Sequence, residues 1–175
     1  MRRRRIFAIW TLALVACSFG ALAERGDDSN RQSKNGRATG VIDGVDVTID
    51  YGRPRVRGRE IWGDLVPFDR VWRTGADETT TIEFSDDVTV EGEALPAGRY
   101  GLFTVPSENS WTVIFNNTPE QWGAFGYDMG DDALRVEVDS RSADHVEAMT
   151  FELIGEEVVL RWATLEIGFR VAAGN

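Results

Sequence analysis

The sequence predicts an all-β protein: an antiparallel β-sandwich, jelly-roll-like or immunoglobulin-like, of about 8–10 short strands with at most one short helix. Three observations carry this. Short runs alternate apolar and polar residues, as in "VDVTIDY", where Val45, Val47, Ile49 and Tyr51 share one face and Asp46, Thr48 and Asp50 the other. Turn chemistry recurs between the runs. No stretch sustains a helical period. Clean alternation also gives each sheet one wet face, which favours a sandwich over a buried parallel sheet.

The elements follow in chain order. "MRRRR" and the apolar run Ile6 to Ala16 have the layout of an export signal, and the run is too short for a bilayer-spanning helix. Two cleavage sites compete. "ALA" before Glu24 fits a signal peptidase and makes residues 1–23 the signal. "LVAC" fits a bacterial lipobox, makes residues 1–16 the signal and lipidates Cys17, the only cysteine. The expected location is therefore exported, either periplasmic or anchored to the outer membrane as a lipoprotein, with membrane contact only through that anchor. Residues 24–40 are polar and without periodicity, and read as a flexible linker. A single β-sandwich domain is expected over residues 41–172, long enough to build its own core.

Within the domain, "TTIEF" and "VTVE" read as short strands and "GEALPAG" as a turn. "RYGLFTV" and "SWTVIFN" read as a hairpin around "PSEN". "TPEQWGAFG" offers one helical turn, started by Thr118 before Pro119. "LRVEV" and "AMTFELI" read as separate strands, and "EVVLRWATLEIGFRV" as two more.

Composition excludes several functions. Removing Arg2, Arg3, Arg4 and Arg5 from the 19 basic residues leaves 15 against 29 acidic ones, a net charge of −14, so nucleic acid is not an expected partner. With no cysteine left in the domain, thiolate catalysis, disulfides and cysteine metal sites are excluded. The single histidine, His145, reads as a surface residue and has no partner for a zinc site. The aspartates of "YDMGDD" lack the spacing of a calcium loop and suit a turn. Neither a metal nor a cofactor is expected.

Two stretches hold the candidate site. "YGRPRVRGREIWG" places Arg53, Arg55, Arg57 and Arg59 at strand spacing, but Pro54 and Gly58 assign it to an edge or loop. Arg59, beside Trp62, is the candidate of the four, and the other three are expected to pair with the protein's own acids. "VWRTGADETTT" gathers Trp72, Arg73 and Asp77 around Gly75, which is expected to adopt positive φ. Trp72 would be a stacking floor, Arg73 a donor and Asp77 an acceptor. In "QWGAFGYD", Trp122 neighbours glycines and is a further ligand-facing candidate, while Trp111 and Trp162 read as core.

These stretches, with "LPAGRYGLFTVP", "WTVIFN", "QWGAFGYD" and "DDALRVEV", resemble the family catalogued as domain of unknown function 2911. The resemblance runs from Thr48 to Val138 and implies an exported bacterial β domain. It brings no established activity, so no catalytic residue carries over. The family pattern usually reads Trp-Arg-Thr-Gly-Ala-Asn, whereas Asp77 stands at the last position here. An amide that donates and accepts is thus replaced by a pure acceptor.

The leading reading is a non-catalytic envelope protein binding a small polar, anionic or glycan-like ligand through Arg59, Trp62, Trp72, Arg73, Asp77 and Trp122. The alternatives are a carboxylate-dependent hydrolase, with Asp77 and Glu78 as its acids, and a structural or protein-interaction module of the envelope.

Overall fold

The computed structural model describes residues 25–174. Both cleavage sites and Cys17 lie outside them. One antiparallel sheet of nine strands makes up the fold, in the order β1-β2-β3-β6-β7-β8-β9-β4-β5. The strands are β1 (Lys34–Ile42), β2 (Val45–Arg53), β3 (Thr80–Phe84), β4 (Val88–Val90), β5 (Glu93–Leu95), β6 (Gly98–Pro106), β7 (Ser110–Asn116), β8 (Asp132–Ile154) and β9 (Glu157–Ala173).

The sheet folds over on itself because β8 serves two layers. Its first third pairs with β7, from Ser110↔Asp139 to Asn116↔Asp132. The remainder pairs with β9, from Ser140↔Ile167 to Ile154↔Glu157. β9 in turn carries β4 at its far end, through Val90↔Val171. The core lies between the layers. Tyr51 on β2 meets Phe151 on β8 edge-on at 4.9 Å, and Phe115 on β7 meets Phe169 on β9 at 5.6 Å. The Tyr51 hydroxyl also accepts the Phe151 backbone N–H at 3.1 Å, so one side chain serves both apolar packing and the ladder.

The alternating apolar residues behave as their pattern requires. Val45, Val47, Ile49 and Tyr51 are all buried, and the hairpin of β6 and β7 forms where turn chemistry placed it. Asp43 and Gly44 both have positive φ, 49° and 85°, the combination a tight β1–β2 hairpin demands.

Four readings of the sequence are corrected. The segment assigned to a flexible linker contains β1, which pairs with β2 along its whole length. Its inward positions are small: side chains of Tyr51 and Arg53 cross Gly36, and Leu153 covers Gly40. Small residues there leave no hydrophobic alternation to read. The strands are also not all short, since β8 has 23 residues and β9 has 17. Register shifts at Ser142/Val146 and Val146/Thr150, and Ala163 at φ 53°, break the alternation without ending the strands. "GEALPAG" is not all turn, because Glu93–Leu95 pair with β4. Finally, no helical turn forms at Thr118. The one short helix among the described residues is a 3₁₀ turn over Met129–Asp131, capped by the Asp128 carboxylate on the Gly130 N–H.

Candidate functional site

The segment after β2 leaves the ladder at Pro54, touches Ala148 through Arg55, and turns at Arg57 and Gly58, both at positive φ. The four arginines therefore do not share one strand face. Arg53 stays in β2 and donates to the Met149 carbonyl at 3.3 Å. Arg55, Arg57 and Arg59 turn toward a cavity of about 430 Å³. The opposite wall is the 72–77 loop. Its Trp72 exchanges two backbone hydrogen bonds with Thr104 on β6, at 2.8 and 2.9 Å, and this fixes the loop to the sheet.

Gly75 does not supply the positive φ expected of it. Thr74 (52°) and Asp77 (63°) do, and Thr74 is β-branched, so the loop is strained. Gly75 is required for a different reason. A side chain there would come within 2.7 Å of the Thr80 hydroxyl and 3.2 Å of the Gly52 carbonyl. The Thr74 carbonyl accepts the Thr80 hydroxyl at 2.8 Å, and the Thr74 hydroxyl reaches Thr104 at 3.2 Å.

The structure brings Arg59, Trp72, Arg73 and Asp77 together around this cavity. It separates the other two candidates. Trp62 lies behind the wall in a cluster of four tryptophans, 5.9 Å from Trp72, 4.8 Å from Trp111 and 5.7 Å from Trp162. Trp122 is 58% exposed and borders a different cavity of about 300 Å³, together with Arg25, Glu78 and Arg99. Glycines beside an aromatic residue signalled a loop in both cases, but not which way the ring would face.

Sequence reasoning missed Arg31, Gln32 and Ser33, which form a third wall from the segment assigned to the linker. A polar run without periodicity gives no such signal. It also assigned Arg55 and Arg57 to internal charge pairing. Arg55 does meet Glu147 at 3.3 Å, but Arg57 donates to the Gln32 side chain at 2.9 Å and forms no ion pair among the described residues. Trp162 is both core and site: it is 1% exposed, stacks on Trp72 at 6.0 Å, and still lines the cavity.

An ion-pair knot holds the third wall. The Glu78 carboxylate accepts from Arg25 at 3.0 Å and from Arg31 at 2.5 and 2.7 Å. Arg25, its side chain only 6% exposed, also donates to the Ala76 carbonyl at 2.7 Å and the Thr79 carbonyl at 3.0 Å. Burial works against the Glu78 carboxylate. The hydrogen bond from Arg31, that from Glu78's own N–H, and the charges of Arg25 and Arg31 outweigh it and hold the pKa down to about 2. Burial lowers the Arg25 guanidinium against the pull of Glu78, while the hydrogen bond to Glu78 raises that of the half-buried Arg31. Arg31 also lies over the Trp122 ring at 5.7 Å, so the knot separates the two cavities.

Arg73 is the exception among the arginines. Its Nε is buried and donates to nothing. Burial lowers its pKa, opposed by the charge of Asp77, and a guanidinium remains protonated. The indole N–H groups of Trp62, Trp111 and Trp162 are likewise buried without an acceptor, whereas that of Trp72 donates to the Gly75 carbonyl at 3.2 Å. Of these unpaired donors, those of Arg73 and Trp162 belong to residues that line the cavity, whereas those of Trp62 and Trp111 do not.

Asp77 is the only carboxylate among the described residues lining the cavity, so the facing acid pair of a glycosidase is not assembled there. The aspartates of "YDMGDD" have protein partners: Asp131 accepts from Thr118 at 3.0 Å, and Asp132 pairs with Arg135 at 2.8 Å.

Fold and site together define a β-sandwich domain with an arginine-lined cavity at one end of its sheet. Residues 33–171 match the family described as "Protein of unknown function (DUF2911)", and the chain belongs to it. No curated protein and no solved structure matches the chain.

Proposed function

We propose that this protein is a non-catalytic binding domain of the bacterial envelope, and that it holds a small anionic ligand in the arginine-lined cavity. One observation carries the reading. In a chain whose acidic residues outnumber its basic ones 29 to 19, Arg31, Arg55, Arg57, Arg59 and Arg73 converge on one cavity against Asp77 alone. Guanidinium forks match carboxylate, phosphate and sulfate oxygens bidentately. Trp72, Leu65 and Val66 add an apolar wall for the uncharged part of a ligand. The export layout of residues 1–23, and the lipobox at Cys17, support the envelope location.

The test is a thermal-shift titration of wild type and Arg73→Ala with phosphate, sulfate and acidic sugars. Binding to the native state raises the melting temperature. A dose-dependent rise in wild type, lost in a folded Arg73→Ala variant, supports the reading. No rise with any of these anions, or an equal rise in both proteins, refutes it.

A further inference from the structure

We infer that the cavity selects an oxyanion that still carries a hydroxyl hydrogen, hydrogen phosphate or a sugar phosphate, over sulfate, and that Asp77 makes the distinction. This rests on the anion-binding reading of the same cavity. Arg31 is engaged by Glu78 and Arg55 by Glu147. Arg57, Arg59 and Arg73 line the cavity without an ion pair among the described residues. Three guanidiniums set against Asp77 leave an excess of two positive charges, beside the one net positive charge of the Arg25–Glu78–Arg31 knot. A phosphate group, at about −1.5 to −2 near neutral pH, matches that excess; a single carboxylate does not.

The donors and acceptors then narrow the class. The Arg73 Nε–H and the Trp162 indole N–H are buried without acceptors, and buried donors are normally paired. On this inference the oxygens of a tetrahedral anion draw both N–H groups to the cavity face and supply the acceptors they lack. Asp77 makes the opposite demand. Its carboxylate accepts no hydrogen bond from any described residue, and an ionised carboxylate can only accept. A ligand that displaces water from this half-exposed carboxylate must bring a hydrogen of its own. Hydrogen phosphate has one on oxygen, and a sugar phosphate has several on its ring. Sulfate at neutral pH has none, and would set its own lone pairs against those of Asp77, a repulsive element of the kind that gives selectivity.

The backbone that carries this carboxylate is fixed. Asp77 sits at φ 63°, and its carbonyl accepts the Gly123 N–H at 3.0 Å. Asp and Asn both tolerate that backbone region, so Asp77→Asn changes the chemistry and keeps the turn. The volume of about 430 Å³ falls among small-molecule sites and leaves room for a sugar beside Trp72 and Leu65.

The experiment is calorimetric titration of the full chain with inorganic phosphate, glucose 1-phosphate and sulfate at about pH 7.5, where phosphate is mainly the dianion. It is repeated with Asp77→Asn. The expected result is that both phosphate probes bind at least about tenfold more tightly than sulfate to wild type, and that Asp77→Asn brings the ratio to within about twofold by strengthening sulfate. The tighter of the two phosphate probes identifies whether the free ion or the sugar ester is the better ligand. Sulfate binding as tightly as phosphate to wild type, or undiminished selectivity in Asp77→Asn, overturns this inference while leaving anion binding intact. Failure of all three anions to bind overturns the underlying reading as well.

Discussion

Glu78 is where the fold's charge arrangement can be measured most cleanly. Its carboxylate takes three hydrogen bonds from Arg25 and Arg31 and is held at about 2 against an ordinary 4.5. A displacement of that size corresponds to about 3 kcal/mol. The Glu78 side chain is 25% exposed, and solvent screening reduces the figure to about 1–2 kcal/mol. The folded-state pKa is depressed, so the stabilisation is fully present above pH 4.5 and is lost as pH falls through about 2. The perturbation is Glu78→Gln, which keeps the shape and removes the charge. The assay is urea unfolding of both proteins at steps from about pH 6 down to about pH 2. Wild type is expected to exceed the variant by about 1–2 kcal/mol at the upper end, with the gap closing across that window. No gap at pH 6, or an unchanged gap at pH 2, would refute the reasoning.

Three further outcomes are expected. Gly52→Ala places a methyl 2.2 Å from the Ala76 carbonyl, the acceptor of Arg25, and should lower stability by more than about 2 kcal/mol in the same unfolding assay. Trp122→Ala should leave phosphate affinity within about twofold of wild type, because Trp122 borders the other cavity; a tenfold loss would join the two cavities into one site. Anion affinity should fall steeply between about 0.05 and 0.5 M sodium chloride, since the attraction is from partly solvated guanidiniums; a salt-independent affinity would mean that apolar contact dominates.

The layout of the fold was legible in the sequence because apolar side chains alternate wherever a strand covers the core. Val45 to Tyr51 and the β6–β7 hairpin show this. It was illegible where burial is arranged by other means. In β1 the inward positions before Ile42 are Gly36, Ala38 and Gly40, and the two glycines leave space for side chains from elsewhere instead of filling it. In β8 and β9 bulges shift the register, so one strand reads as two. The site divided along the same line. Arg59, Trp72, Arg73 and Asp77 lie on two loops whose glycine and proline punctuation marks them as loops. Arg31 comes from a polar run whose order depends on one distant carboxylate, Glu78, and no local pattern encodes that. Trp162 looked like core because it is core; that it also lines a cavity depends on what faces it. Asp77 gains a meaning from its backbone that spacing alone did not give. Its left-handed conformation is one that Asp and Asn adopt more readily than most side chains.

Anion binding beside Arg73 is the central claim, and a proton–nitrogen correlation spectrum of the arginine Nε and tryptophan indole groups tests it most directly. Arg73 Nε–H and Trp162 Nε1–H are buried donors without acceptors. On titration with phosphate, these two resonances are expected to move downfield together and to saturate with one dissociation constant, while the indole of Trp122 stays in place. Arg73 and Trp162 resonances that do not move at saturating phosphate, or shifts confined to Trp122, would contradict the account.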